Sequence, residues 1–332
     1  MSKNFAEFPE LRLRRLRQNA TVRNMLAAPL PGPEKFVWPV FVAAGHNRRE
    51  PISSMPGQYR LSPDALLREL EPVTAQGIGG VLVFGVPDAD SKDAQGQEAI
   101  NPNGVVQQAI RDIRRTFPNL VVMSDVCLCA YTDHGHCGVL NDNGDVDNDA
   151  TIRLLADVAV SHATAGAHLV APSAMMDGQI LAIRTALDTA DFTETGIMSY
   201  STKFASAMYG PFREAEQSAP KSGDRRGYQA SATDLRTALR ESALDEAEGA
   251  DILMVKPTLF YLDVLTRLRD RTDLPIAAYN VSGEYAMLTA AAERGWGDLK
   301  AMVRESTLAI VRAGADIIIS YWARQYDELL KP

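Results

Sequence analysis

Ala250 to Pro257 reads ADILMVKP, an apolar run that ends in a lysine and a proline. Ile252, Leu253, Met254 and Val255 follow one another with no polar alternation. A half-solvated strand alternates, whereas a strand covered on both faces, as in a parallel sheet, does not. Seven more runs of this kind occur: VWPVFV from Val37, GVLVFG from Gly80, LVVMSDV from Leu120, AHLVAPS from Ala167, GIMSYS from Gly196, LPIAAYNV from Leu274 and ADIIISYW from Ala315. Helical periodicity fills intervals between them. It covers Pro63–Gln76 (behind Ser62 as a candidate N-cap), Asp149–Ala165, Asp177–Ala190, Thr233–Glu248, Tyr261–Arg271 and Leu299–Arg312. Strand and helix repeating eight times predict an α/β fold closed as a (β/α)8 TIM barrel. An open doubly wound sheet is the alternative, but no GxGxxG follows the first strand to support a dinucleotide fold.

The chain has 332 residues, 46% of them hydrophobic, enough for one large barrel domain, assigned to 34–332. Residues 1–33 differ: Arg12, Arg14, Arg15, Arg17 and Arg23 make them basic, and Pro29, Pro31 and Pro33 set them apart. They predict an arm outside the barrel, with a solvated tail as the plain alternative. The net charge of −8 and pI near 5.3 argue against nucleic acid or an anionic membrane as a partner. No apolar run reaches the ~18 residues of a membrane span. The N-terminus lacks the apolar stretch and cleavage site of a secretory signal, so a cytoplasmic location is expected. One long connection, 214–231, reads EAEQSAPKSGDRRGYQAS. Too polar for a core, it predicts a lid over a site.

Chemistry in such a barrel gathers at the C-terminal ends of the strands. The third run leads into Cys127, Cys129 and Cys137, the only cysteines of the chain. An odd, clustered set does not suggest a disulfide framework. Three thiolates suit zinc and leave a fourth position open, the pattern of a catalytic ion. His134 and His136 in the same loop are alternative ligands or supporting groups. Three buried apolar cysteines are the plain alternative.

Lys203 follows the fifth run and Lys256 ends the sixth. Burial disfavours an ammonium, and a second lysine nearby disfavours it further, so a neutral nucleophilic amine becomes available. One such lysine could simply pair with a carboxylate such as Asp125. Two on adjacent strands favour Schiff-base chemistry. Ser173, Tyr279, Ser282 and Tyr321 add polar groups at other strand ends. Arg213, Arg225 and Arg226 are suited to carboxylates, with solvation as the alternative for the two in the lid.

The segments DVCLCAYTDHGHCG, TKFASAMYGPFREA, GDRRGYQ, MVKP and VSGEYAML occur in an order that resembles the porphobilinogen synthase (5-aminolevulinate dehydratase) family, zinc type. The resemblance runs from about Phe36 to Tyr321. It implies asymmetric condensation of two 5-aminolevulinate molecules to porphobilinogen with loss of two waters, in tetrapyrrole (heme) biosynthesis. It implies Lys256 as the Schiff-base lysine of the first (P-site) substrate and Lys203 as that of the second (A-site) substrate. Zinc on Cys127, Cys129 and Cys137 would position the second substrate. Ser282 and Tyr321 would bind the P-site carboxylate, and Arg213, Arg225 and Gln229 the A-site carboxylate. Asp125 matches a family residue beside the lysines; Ser173 and Tyr209 fall at active-site positions and Phe212 at a packing position.

The resemblance further implies a large homo-oligomer, most often an octamer, gripped by the arm. Glu241 would match a position for an allosteric magnesium at subunit contacts. Three residues depart from the usual pattern: Ala130 for a proline, Ala174 for an aspartate and Thr258 for a glycine. Two rival readings stand beside it. A class I aldolase explains one lysine but neither the second nor the cysteines. An inactive zinc-binding scaffold would leave the intact lysines unexplained.

Overall fold

The computed structural model describes residues 8–331; the first seven residues of the expected arm and Pro332 lie outside them. Eight parallel strands form the barrel: β1 (Phe36–Ala43), β2 (Gly80–Val86), β3 (Val121–Val126), β4 (Leu169–Pro172), β5 (Gly196–Lys203), β6 (Ile252–Lys256), β7 (Ile276–Asn280) and β8 (Ile317–Ser320). Each pairs with the next, and β8 returns to β1 through Phe36 opposite Ile318 and Val37 opposite Ile319. The sheet is therefore closed, which rules out the open doubly wound alternative. All eight apolar runs fall on these strands. The apolar residues of β1, β2 and β6 are buried almost throughout, as unbroken apolar sequence requires.

Helices α2 (Pro63–Ala75), α3 (Val105–Thr116), α4 (Asn148–Ala165), α5 (Gln179–Thr189), α6 (Gly210–Glu216), α7 (Leu235–Ala247), α8 (Leu262–Arg269), α9 (Ser282–Glu293) and α10 (Leu299–Arg312) follow the strands, with α1 (Ala20–Leu26) in the arm and α11 (Tyr326–Leu329) at the end. All six expected helices are present. The helix expected from Asp177 starts at Gln179 because Gly178 before it is left-handed, at φ 74°. Ser62 precedes α2 but does not cap it with its side chain: the hydroxyl accepts the Arg48 N–H and donates to Asp64. Helices α3 and α9 were not expected. Nor was the short antiparallel ribbon of Arg49–Pro51 with Tyr59–Leu61, which pairs along β1.

One irregularity sets the site. Between β5 and β6, Ser199 stands opposite Leu253 while Thr202 stands opposite Val255, so β5 carries one extra residue. Before it, the Ser199 and Ser201 hydroxyls reach outward to Asp245 and Ser242 of α7. After it, Lys203 faces inward and pairs in register with Lys256.

In the arm, a 3-10 turn at Leu13–Arg17 and α1 bury no residue. Phe8, Leu13, Met25 and Leu26 are all more than half exposed. Among the described residues, no helix is long and apolar enough to cross a membrane.

Candidate active site

The C-terminal ends of β3 to β8 bring most of the expected residues to one mouth. Lys256 is the last residue of β6 and is buried. Its Nζ lies 4.2 Å from the ring centre of Tyr279, 4.8 Å from Phe212, 4.9 Å from Tyr200, 5.5 Å from Tyr209 and 5.8 Å from Phe84. Burial in this cage, helped by the charge of Lys203, lowers its pKa to about 7, although Asp125 pulls the other way. Lys203 is also buried, and its Nζ donates to the Ser173 carbonyl at 2.5 Å. Ser173 thus meets the site through its carbonyl, and its side chain lies against Asp125.

Asp125 faces both lysines. Burial and the neighbouring Glu216 raise its pKa to about 7, against the pull of Lys203 and Lys256. Its Oδ1 has no hydrogen-bond partner. Tyr209 donates from its hydroxyl to the Lys256 carbonyl at 3.2 Å. The Phe212 N–H donates to Ser282 Oγ at 3.0 Å, and the ring packs edge-on against Phe84 with centres 5.1 Å apart. The Tyr321 and Tyr279 hydroxyls lie 3.2 Å apart.

The three cysteines are free and buried, and their sulfurs lie within 4.8 Å of one another. Cys127 and Cys129 Sγ are 3.3 Å apart. Mutual hydrogen bonding pushes the Cys137 thiol well down, helped by Arg225 and Lys203, while it pushes the Cys129 thiol up. One negative charge is thus readily held among three sulfurs. Buried thiols converging on one point without a disulfide fit a soft or borderline cation such as zinc.

Neither histidine joins them. His136 Nε2 donates to the Ser222 carbonyl at 3.0 Å, and Nδ1 lies 3.1 Å from the Tyr228 hydroxyl. His134 Nε2 faces the Ala94 carbonyl at 3.3 Å, and Nδ1 accepts the His136 N–H.

The His136 ring serves the contact between the cysteine loop and segment 214–231. That segment is more ordered than its composition suggested. Its first three residues belong to α6, and Ser218, Arg225 and Gln229 are buried. Lys221 N–H donates to the His134 carbonyl, and Arg225 Nη2 to the Gly135 and Ser218 carbonyls. Ala230 N–H binds the Lys203 carbonyl at 3.0 Å. Gly135 permits the close approach: its φ is 76°, and a Cβ there would meet the Ala219 carbonyl oxygen at 2.5 Å. Arg213 Nε, Arg225 Nε and both side-chain polar atoms of Gln229 are buried without partners. Native proteins seldom leave such groups unmatched, so the two arginine Nε groups and Gln229 Nε2 form a ready set of donors for an anion, with Gln229 Oε1 left as an acceptor. Arg226, in contrast, stays on the surface beside Asp224.

Glu241 stands apart from the lysines. It lines an outer cavity of about 890 Å³ with Asp177, Asn148, Tyr228 and Gln229. Burial and Asp177 raise its pKa. Of the departures, Ala130 and Ala174 are buried small residues, and Thr258 is buried with its N–H on Glu284 and its hydroxyl on the Val255 carbonyl. The sequence did not point to the cage residues Tyr200 and Phe84. It also did not point to Glu216, a buried carboxylate whose Oε2 accepts from Cys129 Sγ at 3.3 Å.

The model of the family described as "Delta-aminolevulinic acid dehydratase" matches residues 10–329. The dehydratase of that name from Archaeoglobus fulgidus is 48% identical over 98% of this chain and all of its own. The one from Methanothermobacter thermautotrophicus is 50% identical over 97% of this chain and 98% of its own. The crystal structure of the Toxoplasma gondii enzyme, in complex with the reaction product porphobilinogen, superposes with a TM-score of 0.93 at 42% identity, covering 95% of this chain and 90% of that one. With two lysines in register, three converging thiols and a match across nearly its whole length, the chain belongs to the delta-aminolevulinic acid dehydratase (porphobilinogen synthase) family of enzymes.

Proposed function

We propose that this enzyme joins two molecules of 5-aminolevulinate into porphobilinogen with loss of two waters, as a step in tetrapyrrole and heme biosynthesis. The observation that carries the reading is the register pair Lys203 and Lys256 at the mouth beside three thiols. A class I aldolase needs only one such lysine and no thiol cluster. A scaffold would not need to keep an amine poised near neutrality.

In this reading, neutral Lys256 attacks the ketone of the first substrate, and Lys203 attacks that of the second. A protonated imine draws electrons from the adjacent carbon, which eases its deprotonation. Two tethers make the carbon–carbon step nearly unimolecular. Asp125, enclosed between the lysines with a pKa raised to about 7, can accept and return a proton there. Ser282 and Tyr321 bind the first carboxylate. Arg213, Arg225 and Gln229 bind the second with donors that otherwise lack partners. Ser173 fixes the Lys203 amine through its carbonyl, and Tyr209 and Phe212 wall the cage. Cys127, Cys129 and Cys137 would hold zinc, which supplies Lewis acidity and a template for the second substrate. Segment 214–231 acts as the lid that excludes water.

The test is porphobilinogen formation from 5-aminolevulinate before and after zinc chelation. Loss on chelation and recovery with zinc is the expected result. Activity indifferent to chelation would remove the cysteines from catalysis, and no product under any metal condition would overturn the reaction.

We also infer a cytoplasmic homo-octamer held through residues 1–33, which expose several apolar side chains and bury none within the chain among the described residues. Glu241 is proposed as part of an allosteric magnesium site. Magnesium removal should then shrink the assembly, and size and activity indifferent to magnesium would refute it.

A further inference from the structure

Glu216 ends α6 and is only 2% exposed. A lone carboxylate taken out of water costs several kcal/mol unless a cation or several donors match it. The charges of Arg225 and Lys203 favour its ionised form, but their described hydrogen bonds go elsewhere: Lys203 Nζ donates to the Ser173 carbonyl, and Arg225 Nη2 to the Gly135 and Ser218 carbonyls. Its close side-chain neighbours are Ser218 and Cys129, with Oε2 3.3 Å from the Cys129 Sγ. A tetrahedral zinc with sulfur at ~2.3 Å and oxygen at ~2.0–2.2 Å holds those ligand atoms about 3.5 Å apart. Glu216 therefore already sits at nearly ligand spacing from one thiol of a three-thiol cluster.

We propose that Glu216 is the fourth, oxygen ligand of the ion held by Cys127, Cys129 and Cys137. The proposal rests on the reading of those cysteines as a metal site. It adds that a side chain of this protein holds the fourth position until the second substrate displaces it. The carboxylate reaches the cluster at its Cys129 edge, so ligation turns it toward Cys127 and Cys137. Its place on the last residue of a helix, with left-handed Gln217 (φ 54°) beyond, leaves it on a short hinge of backbone. A three-thiolate, one-carboxylate set places two net negative charges around a divalent ion. The surrounding Lys203, Lys256 and Arg225 offset them.

The experiment compares zinc-loaded wild type with Glu216→Gln, which keeps the volume, and with Glu216→Ala in case the amide perturbs folding. Zinc affinity is read by competition with a chromophoric chelator, and the carboxylate by infrared difference spectra of zinc-loaded minus zinc-free protein. Wild type should show a carboxylate band shift on zinc addition that both variants lose, and the variants should bind zinc about tenfold or more weakly. Unchanged affinity overturns the proposal. A weaker affinity with no carboxylate band lost also overturns it, because charge alone would then explain the effect. Failure of wild type to bind zinc at all would instead remove the metal reading beneath it.

Discussion

At the residue scale, the proposed chemistry turns on the amine of Lys256. Lys256→Ala should lower turnover by about 10⁴-fold or more while circular dichroism stays unchanged. Borohydride reduction with substrate present should then no longer mark that position, and retained turnover would refute its role. The depressed pKa gives a sign. Below about pH 7 the folded protein holds Lys256 as an ammonium, and above it as a free amine. The rate of product formation per unit free enzyme should therefore climb as pH rises through about 7 and flatten above. A limb near 10 would mean that the cage does not depress the amine. Cys129→Ala should cut zinc affinity and activity together. Full activity with no bound zinc would separate the two. These residues were legible because strand-end lysines and clustered thiols are rare enough to read alone. Tyr200 was not, because its inward direction depends on strand pairing that no local pattern records.

At the scale of elements, the contact between the cysteine loop and segment 214–231 is what would hold the proposed lid closed. The Tyr228 hydroxyl serves both His136 Nδ1, at 3.1 Å, and the Cys137 N–H, at 3.4 Å. Tyr228→Phe removes both, a loss of about 1–1.5 kcal/mol that should raise KM about fivefold to tenfold with a smaller change in kcat. An unchanged KM would show that this hydroxyl does not hold the lid. The eight strands were legible as apolar runs because burial on both faces leaves no other composition. The lid was legible only as a loop. Its polar residues satisfy one another and the cysteine loop across long sequence separations, so composition alone misjudged how much of it is buried. Helix α3 carries a clear amphipathic stripe of Val106, Ala109, Ile110 and Ile113 that was there to be read.

At the scale of the whole molecule, the barrel closes on itself and the described arm elements stand outside it. Arm residues bury nothing within the chain among those described, yet carry apolar side chains into solvent. Removing residues 1–28 should leave the barrel folded but reduce the assembly to smaller species on a sizing column with light scattering. An unchanged mass would show that the barrels associate without it. Closure of the barrel also explains how side chains far apart in sequence share one mouth, since every strand runs the same way. The extra residue in β5 has a larger meaning in that setting. If the same sequence ran as a regular strand without the bulge, Lys203 would continue the outward series of Ser199 and Ser201 and lie under α7. The position of the second amine is thus written in the backbone path of β5 as much as in the order of its residues: the same letters on an even ladder would leave the mouth with one lysine.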